Sequence, residues 1–318
     1  MAKVYLVGGA VRDELLGKTV HERDWVVVGS TPEELLAQGY RQVGASFPVF
    51  LHPDTGEEFA LARTERKQGH GYHGFSVDFD AGVTLEQDLA RRDLTINAMA
   101  RDEQGTLIDP FDGRNDLRQR VLRHVSDAFS EDPLRVSRVA RCAARYRDLG
   151  VTIHPSTRRL MTGMVGAGEI EYLGPVGGWA ECGSALSTSK PATFIEVLRN
   201  CGALAVLLPE VDSLFGVPQP EQHHPEIDTG IHVMMTMNLA ASMGCIARVV
   251  FALLLHDLGK ALTPEASLPS HIGHEKSGVP LVRDVCERLR VPGAYASLAL
   301  VVCELHLRCH RLLEDWPA

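Results

Sequence analysis

The residues of this chain with the clearest chemical potential are two carboxylates, Glu22 and Asp24, at the mouth of an apolar run, DWVVVGS. Side chains two apart on a strand point to the same face, so Glu22 and Asp24 converge on one site while Arg23 turns away. Paired carboxylates at a strand end suit Mg²⁺, and a glycine turn beside them suits a phosphate, which together are the parts of a two-metal phosphoryl or nucleotidyl transfer. Such a turn is present in YLVGGAVRD, where Gly8 and Gly9 sit between a strand and a helix and Arg12 follows three residues on. Backbone N–H groups at that junction can approach phosphate oxygens, although two glycines also serve as a plain tight connection.

A second constellation lies near the other end. LLHDLGK places His256 and Asp257 together at the end of an apolar helix. An adjacent His-Asp pair with a distant histidine can hold a divalent metal that activates water. His271, His274 and His306 are weaker candidates for the same site. Eight of the fourteen histidines, His223 and His224 among them, follow residue 222.

Charge is unevenly distributed. The 318 residues carry a net charge of −9, but Arg114 to Arg147 holds nine arginines, no lysine and four acids, a local +5 that leaves −14 on the remainder. The average excludes a uniformly basic nucleic-acid coat protein. The all-arginine segment favours bidentate recognition of phosphates or carboxylates, or else forms a solvated helical face with internal ion pairs. Seven cysteines with no CxxC pair suit reduced thiols. No apolar run is long enough to span a bilayer, and the N-terminus lacks a signal-peptide core, which predicts a cytoplasmic protein.

Positions 3 to 113 alternate short strand-like and helical runs, with PVFLHPDTGEEFALAR reading as a hairpin around Asp54 to Gly56. From Leu117 the pattern turns helical, beginning with LRQRVLRHV. The fold class is α+β: a small mixed-sheet head, an all-α region and a helical C-terminal region. Composition shifts at the Gly/Pro-rich stretch 215–230, and the chain is expected to divide into a head at 1–140, a helical neck and body at 141–222 and a C-terminal helical domain at 223–318.

The motifs GGAVRD, RDWVVVG, RRDLTINAMA (Arg91 to Ala100), IDPFDG and EDPLRVSRVAR, in that order, resemble the bacterial tRNA nucleotidyltransferases that build the CCA end. With HHPEIDTGIH and LLHDLGK, the chain resembles the multifunctional form that carries an HD-type phosphohydrolase domain. The resemblance implies CCA addition to the tRNA 3′ acceptor end from CTP and ATP, with Mg²⁺. It implies that Gly9 and Arg12 contact the nucleotide, that Glu22 and Asp24 hold magnesium, and that Arg92, Arg138 and Arg141 bind phosphate or sugar. Asp132 and Arg135 match the pair that reads the base edge, which makes chemical sense because a carboxylate and a guanidinium present both acceptors and donors. Three-residue helical spacing would set Asp132 beside Arg135 and turn Arg141 to the opposite side, which makes Arg141 partly structural. In the HD region the resemblance nominates His232, His256 and Asp257 for a second divalent transition metal such as Ni²⁺, and Lys260 for phosphate.

Departures from the family pattern are also visible. Glu22 stands where many relatives have aspartate, and Leu307 follows His306 where they have an aspartate. Val176-Gly177-Gly178 replaces a Glu-Arg-Val helix start between the retained Pro175, Trp179 and Glu181; adjacent glycines cost a helix about 1 kcal/mol each, so a looser element is expected there. The chain is also shorter than such proteins usually are. Glu58 in the hairpin is a weak candidate for a third magnesium carboxylate. The rival readings are a poly(A) polymerase of the same fold, a metal-dependent phosphohydrolase whose front half only binds tRNA, and a non-catalytic tRNA-binding module.

Overall fold

The computed structural model describes residues 2–20, 22–43, 49–67, 69, 75–222 and 225–314. His223 and His224 lie outside them. The chain divides into two compact units, residues 1–135 with 151–160, and residues 136–150 with 161–318.

The first unit begins with β1 (Lys3–Val7), α1 (Gly9–Leu15), β2 (Asp24–Val28) and α2 (Pro32–Ala37), followed by β3 (Arg41–Val43), β4 (Val49–Leu51) and β5 (Glu58–Leu61). Next come β6 (Thr64–Lys67), β7 (Phe75–Asp78), α3 (Leu85–Ala90), β8 (Ala100–Arg101), β9 (Leu107–Ile108), α4 (Gly113–Gln119) and β10 (Val121–Leu122). Seven strands form one sheet in the order β3-β4-β5-β2-β1-β8-β9. It is mixed: β1 and β2 are antiparallel, whereas β2 and β5 run parallel. β4 and β5 form the hairpin read around Asp54 to Gly56, with Leu51 opposite Glu58.

Period-two alternation sorts the sheet's side chains. Val26 of β2, Val7 of β1 and Ala62 just after β5 join Leu89, Ala98 and Ala100 in one buried cluster. Val27, Phe50, Phe59 and Leu61 form the opposite face with Leu35. Asp24 and Glu58 stand two and four residues before Val26 and Ala62, so they belong to the first face, at its polar end. Helices α2 and α3 start on capping boxes, Thr31 with Glu34 and Thr84 with Gln87, which satisfy the first free amides of each.

One sequence reading fails here. LRQRVLRHV is not a helix: α4 ends at Gln119, Arg120 takes a left-handed conformation (φ 59°), and Val121–Leu122 becomes β10. β10 pairs in parallel with β11 (Thr152–Ile153). The tertiary pairing of two β-branched-rich dipeptides overrides the local helical pattern.

α5 (Leu134–Arg145) and α6 (Pro155–Gly166) precede the helices of the second unit, namely α7 (Pro175–Leu186), α8 (Ala192–Asn200), α9 (Ala203–Leu207), α10 (Pro209–Asp212), α11 (Thr229–Ser242), α12 (Ala247–Leu255), α13 (His274–Arg288) and α14 (Gly293–Glu314). α12 buries Val250, Phe251, Ala252, Leu254 and Leu255; a helix apolar on so many sides must be central, and it packs against α7, α11 and α14. The segment expected to be loose is the ordinary helix α7, started by Pro175 in its first turn. A Cβ on Gly178 would come within 2.6 Å of Leu173, so the glycine makes room for that side chain. Trp179 meets Phe251 and Tyr295 edge-on, with centroids 5.2 and 5.1 Å away.

Candidate functional site

The first site is built at the end of β1, where Gly8 turns the chain with φ 73° into α1. A Cβ at Gly8 would lie 2.9 Å from Arg92 Nη1, and one at Gly9 would lie 3.2 Å from Arg12 Nη2. Gly8 needs glycine for its positive φ, and at both positions two guanidinium groups lie against the turn. Arg12 is only 5% exposed. It donates to Asp13 Oδ1 at 2.9 Å and to Asn97 Oδ1, and Asn97 in turn donates to Asp93 Oδ1 at 3.0 Å. RRDLTIN therefore reaches beneath the glycine turn through Asp93 and Asn97. IDPFDG locks that segment in place, since Asp109 accepts from Gly113 N and Arg114 N at 2.7 and 2.8 Å, and Gly113 packs on Thr95 O.

Arg92 is positioned by Asp88. Its Nη2 donates to Asp88 Oδ2 at 3.2 Å, and Arg91 Nη2 reaches Asp88 Oδ1 at 3.1 Å. Burial opposes the charge on Asp88, but Arg92 and Arg91 outweigh it and hold the carboxyl below its ordinary value. Arg92 Nε is buried and meets no acceptor among the described residues.

The carboxylates stand on the neighbouring strands. Asp24 pairs in register with Glu58 across the parallel β2 and β5 and with Val7 across β1. In-register neighbours share a face, so Glu58 joins Asp24. Glu22, two residues before β2, is exposed, as are Asp24 and Glu58. Arg23 instead approaches Glu57 at 3.7 Å. These acids are not among the sets of three or more ligand atoms within 4.8 Å found in the described residues. An open pair of hard oxygen ligands is nevertheless what magnesium uses when substrate phosphates complete its shell.

Asp132 is not on α5, as helical spacing suggested. It is extended, ahead of the helix, and its Oδ1 accepts from Leu134 N at 2.9 Å, which is a capping role. Its Oδ2 still lies 3.9 Å from Arg135 Nε. Arg135 is buried, and its Nη1 and Nη2 donate to the carbonyls of Ala128 and Arg91, each at 2.7 Å. Arg138 and Arg141 belong to the second unit. There the Arg141 guanidinium is paired with Glu181 of α7.

The second unit brings His232, His256 and Asp257 together, and adds His274 and His306. Asp257 is 1% exposed. Its Oδ2 lies 3.1 Å from His256 Nε2, 4.0 Å from His232 Nε2 and 2.8 Å from Lys260 Nζ; its Oδ1 lies 3.2 Å from His274 Nε2 and 3.6 Å from His306 Nε2. Despite these distances, neither oxygen receives a well-angled hydrogen bond among the described residues. Burial opposes the Asp257 charge, but His256 and Lys260 hold its carboxyl well below the usual range. Burial lowers the His232 and His306 imidazoles, whereas Asp257 outweighs burial at His256 and raises it. Lys260 is buried, between Asp257 and Gln219 Oε1 at 2.5 Å. His271 is engaged elsewhere, with Thr263 and the Pro218 carbonyl. Gly259 permits the assembly, because a Cβ there would meet His274 O at 2.0 Å.

Sequence reasoning passed over Asp88, Asn97 and Asp93. The signal for Asp88 was its spacing of three and four residues ahead of Arg91 and Arg92, which is ion-pair spacing on a helix. His274 was weighed too lightly because no local spacing ties it to a residue seventeen positions earlier.

The profile of the Poly A polymerase head domain matches residues 4–123, and that of the HD domain matches residues 229–315. The Multifunctional CCA protein of Thioalkalivibrio sulfidiphilus is 61% identical over 315 residues, covering 99% of this chain and 77% of that protein. The protein of the same name from Shewanella frigidimarina is 58% identical over 312 residues, covering 98% and 75%. Among solved structures, a tRNA-processing enzyme in an apo form superposes with a TM-score of 0.65 at 24% identity, covering 99% of this chain and 77% of that one, a likeness of fold. At this level of identity over nearly its whole length, the chain belongs to the family of multifunctional CCA proteins.

Proposed function

We propose that this enzyme adds and repairs the 3′-terminal CCA of tRNA, using CTP and ATP and no nucleic-acid template. The observation that carries the reading is the meeting of two guanidinium groups, Arg12 and Arg92, at the Gly8–Gly9 turn, at the same sheet end as the Asp24–Glu58 pair. Cationic groups against a glycine turn suit a triphosphate, and adjacent carboxylates suit a hard cation.

Glu22 and Asp24, with Glu58 beside Asp24, would hold Mg²⁺, which lowers the pKa of the attacking hydroxyl and neutralises charge on the departing pyrophosphate. Arg12 and Arg92 bind the β- and γ-phosphates, and the buried Asp88 and Asn97 keep them aimed. The tRNA 3′-hydroxyl gives up its proton to water at the exposed carboxylates, its oxygen bonds the α-phosphorus as the bond to the bridging α-β oxygen breaks, and pyrophosphate leaves toward the turn. Asp132 accepts from the exocyclic amine shared by cytosine and adenine, and Arg135, fixed by two main-chain carbonyls, donates to the ring acceptor beside it. Arg138 contributes to phosphate or sugar binding; Arg141, held by Glu181, contributes chiefly by orienting α5.

In the HD region, His232, His256 and Asp257 would hold a divalent transition metal, for which imidazole and carboxylate ligands fit better than an all-oxygen Mg²⁺ site. This supports a second, phosphohydrolase activity on 2′,3′-cyclic phosphates or phosphomonoesters. Since CTP, ATP and tRNA are the substrates, the reading puts the protein in the cytoplasm; among the described residues no helix is long and apolar enough to cross a membrane.

The test is incubation with tRNA lacking its CCA end. Addition of two C and one A residues is expected. Long tails of A with no use of CTP would instead identify the poly(A) polymerase reading, which shares the head fold. Cleavage of a cyclic phosphate with no nucleotide addition would leave only the hydrolase.

A further inference from the structure

Gln219 lies in the segment between α10 and α11 and is 2% exposed. Its stretch of main chain is held on several sides. Gln219 N donates to Ile227 O at 2.6 Å, Pro218 pairs with Asp228 as an isolated bridge, and His271 Nε2 donates to Pro218 O at 2.8 Å. Asp228 in turn caps α11 by accepting from Ile231 N at 2.9 Å, so Gln219 is tied to the start of the helix that carries His232. A side chain on a backbone clamped in this way is presented in a fixed direction.

The orientation of its amide follows from its neighbour. Lys260 Nζ donates to Gln219 Oε1 at 2.5 Å and stands 2.8 Å from Asp257 Oδ2. An ammonium has three donors and no acceptor, so the amide oxygen must face it and the NH2 group must turn to the other side. Nε2 shares a carbon with Oε1 and so lies within about 5 Å of Nζ. It is buried and meets no acceptor among the described residues. A buried NH2 group left unpaired opposes folding, yet here two donors are held ready beside a buried cation.

Electrostatics points to the missing acceptor. Asp257 supplies one negative charge, against Lys260 and the divalent cation proposed for His232, His256 and Asp257. Buried charge is tolerated when it is compensated, so the balance calls for an anion with several acceptor oxygens, and a phosphoryl group is one. A cavity of about 510 Å³ is lined by Gly259, the chain neighbour of Lys260, and by the hydroxyls of Thr263 and Ser277, with room for the rest of an ester.

We propose that Gln219 is a phosphate-binding residue of the HD region: Oε1 fixes the Lys260 ammonium, and Nε2 donates to an oxygen of the phosphoryl group that Lys260 also meets. This rests on the phosphohydrolase reading and adds to it the pair of side chains that holds the anion.

The probe is inorganic phosphate, first titrated by calorimetry into the full chain with its metal, then used to inhibit hydrolysis of p-nitrophenyl phosphate, a readout of the HD region alone. Gln219→Glu keeps an acceptor for Lys260 but exchanges the donor for a charge, Gln219→Met removes both, and Lys260→Met removes the cation. Both Gln219 variants should weaken phosphate binding and raise its inhibition constant about tenfold, the effect of one hydrogen bond to a charged group. KM for the ester should rise more than kcat falls, with metal content and thermal midpoint as in the parent. If one Gln219 variant fails to fold, the other carries the comparison. Parent affinity in Gln219→Glu with weakened binding in Gln219→Met would overturn the donor role and leave Gln219 as a brace for Lys260. Parent affinity in both would overturn the proposal, with the hydrolase reading intact if Lys260→Met is still impaired. A parent that hydrolyses no ester would overturn the hydrolase reading itself, and calorimetry would still decide whether Gln219 holds phosphate.

Discussion

Asp88, without exposed surface, binds the Arg92 guanidinium at 3.2 Å from below while that guanidinium lies against Gly8. A residue that touches no substrate in the proposed mechanism thus aims one that does. Asp88→Asn should cost about 2 kcal/mol, because the half-buried Arg92 loses its ionised partner while Arg91 keeps only Glu65. Urea denaturation measures the loss, and the KM for nucleotide should rise with it. Arg92→Lys, which keeps the charge but not the fork, should spare stability and reduce nucleotide addition.

The same pair sets an acid limit. Because the folded pKa of Asp88 is depressed, its contribution is fully present above the unfolded value of about 3.9 and is lost as pH falls through the folded value. Stability measured downward from pH 6 should therefore fall less in Asp88→Asn than in the parent protein. Equal slopes would show that folding does not lower the Asp88 pKa.

Asp24→Ala should abolish incorporation of both C and A by about 10³-fold, the effect of losing several kcal/mol of transition-state stabilisation. Cyclic-phosphate cleavage should persist, since the HD cluster shares no residue with the head. Glu58→Gln should give a smaller loss, and its rate would report how far the strand partner takes part. Unimpaired CCA addition by Asp24→Ala would show that the metal is held elsewhere.

Asp132→Ala should remove a helix cap worth about 1 kcal/mol and, separately, the proposed base acceptor. Misincorporation of UTP and GTP should rise relative to CTP and ATP. A uniform loss for all four nucleotides would assign Asp132 to capping alone.

Binding of tRNA should have a shallow salt dependence. Several arginines of the +5 segment are already engaged: Arg123 with Asp116, Arg135 with two carbonyls, Arg141 with Glu181. Neutralising about three or four phosphates gives a slope of log K against log salt near −3, whereas all nine arginines would give about −6 to −8. Filter binding between low and moderate salt distinguishes these.

Elements with a strong local pattern were legible in the sequence: the alternation of β1, α1, β2 and α2, the β4–β5 hairpin and the apolar α12 leading to His256 and Asp257. What escaped depends on contacts distant in sequence. Arg120 leaves the helical region so that Val121–Leu122 can pair with β11, and no local spacing announces that. Asp132 looks helical by spacing but serves as the cap. Glu58 gained its place beside Asp24 from strand register, and His274 and His306 reached Asp257 through the packing of α13 and α14. Chemistry-bearing residue types can be counted in a sequence, but their convergence is set by pairing and packing.

In the proposed mechanism, the in-register pairing of Asp24 with Glu58 makes the alignment of two strands a determinant of catalysis. A slip of β2 by one residue along β5 would turn Asp24 to the far side of the sheet and bring Trp25 to the side where Asp24 now stands. A misaligned head could keep much of its secondary structure and still be inert, so nucleotide addition itself reports whether the strands have settled in the correct frame.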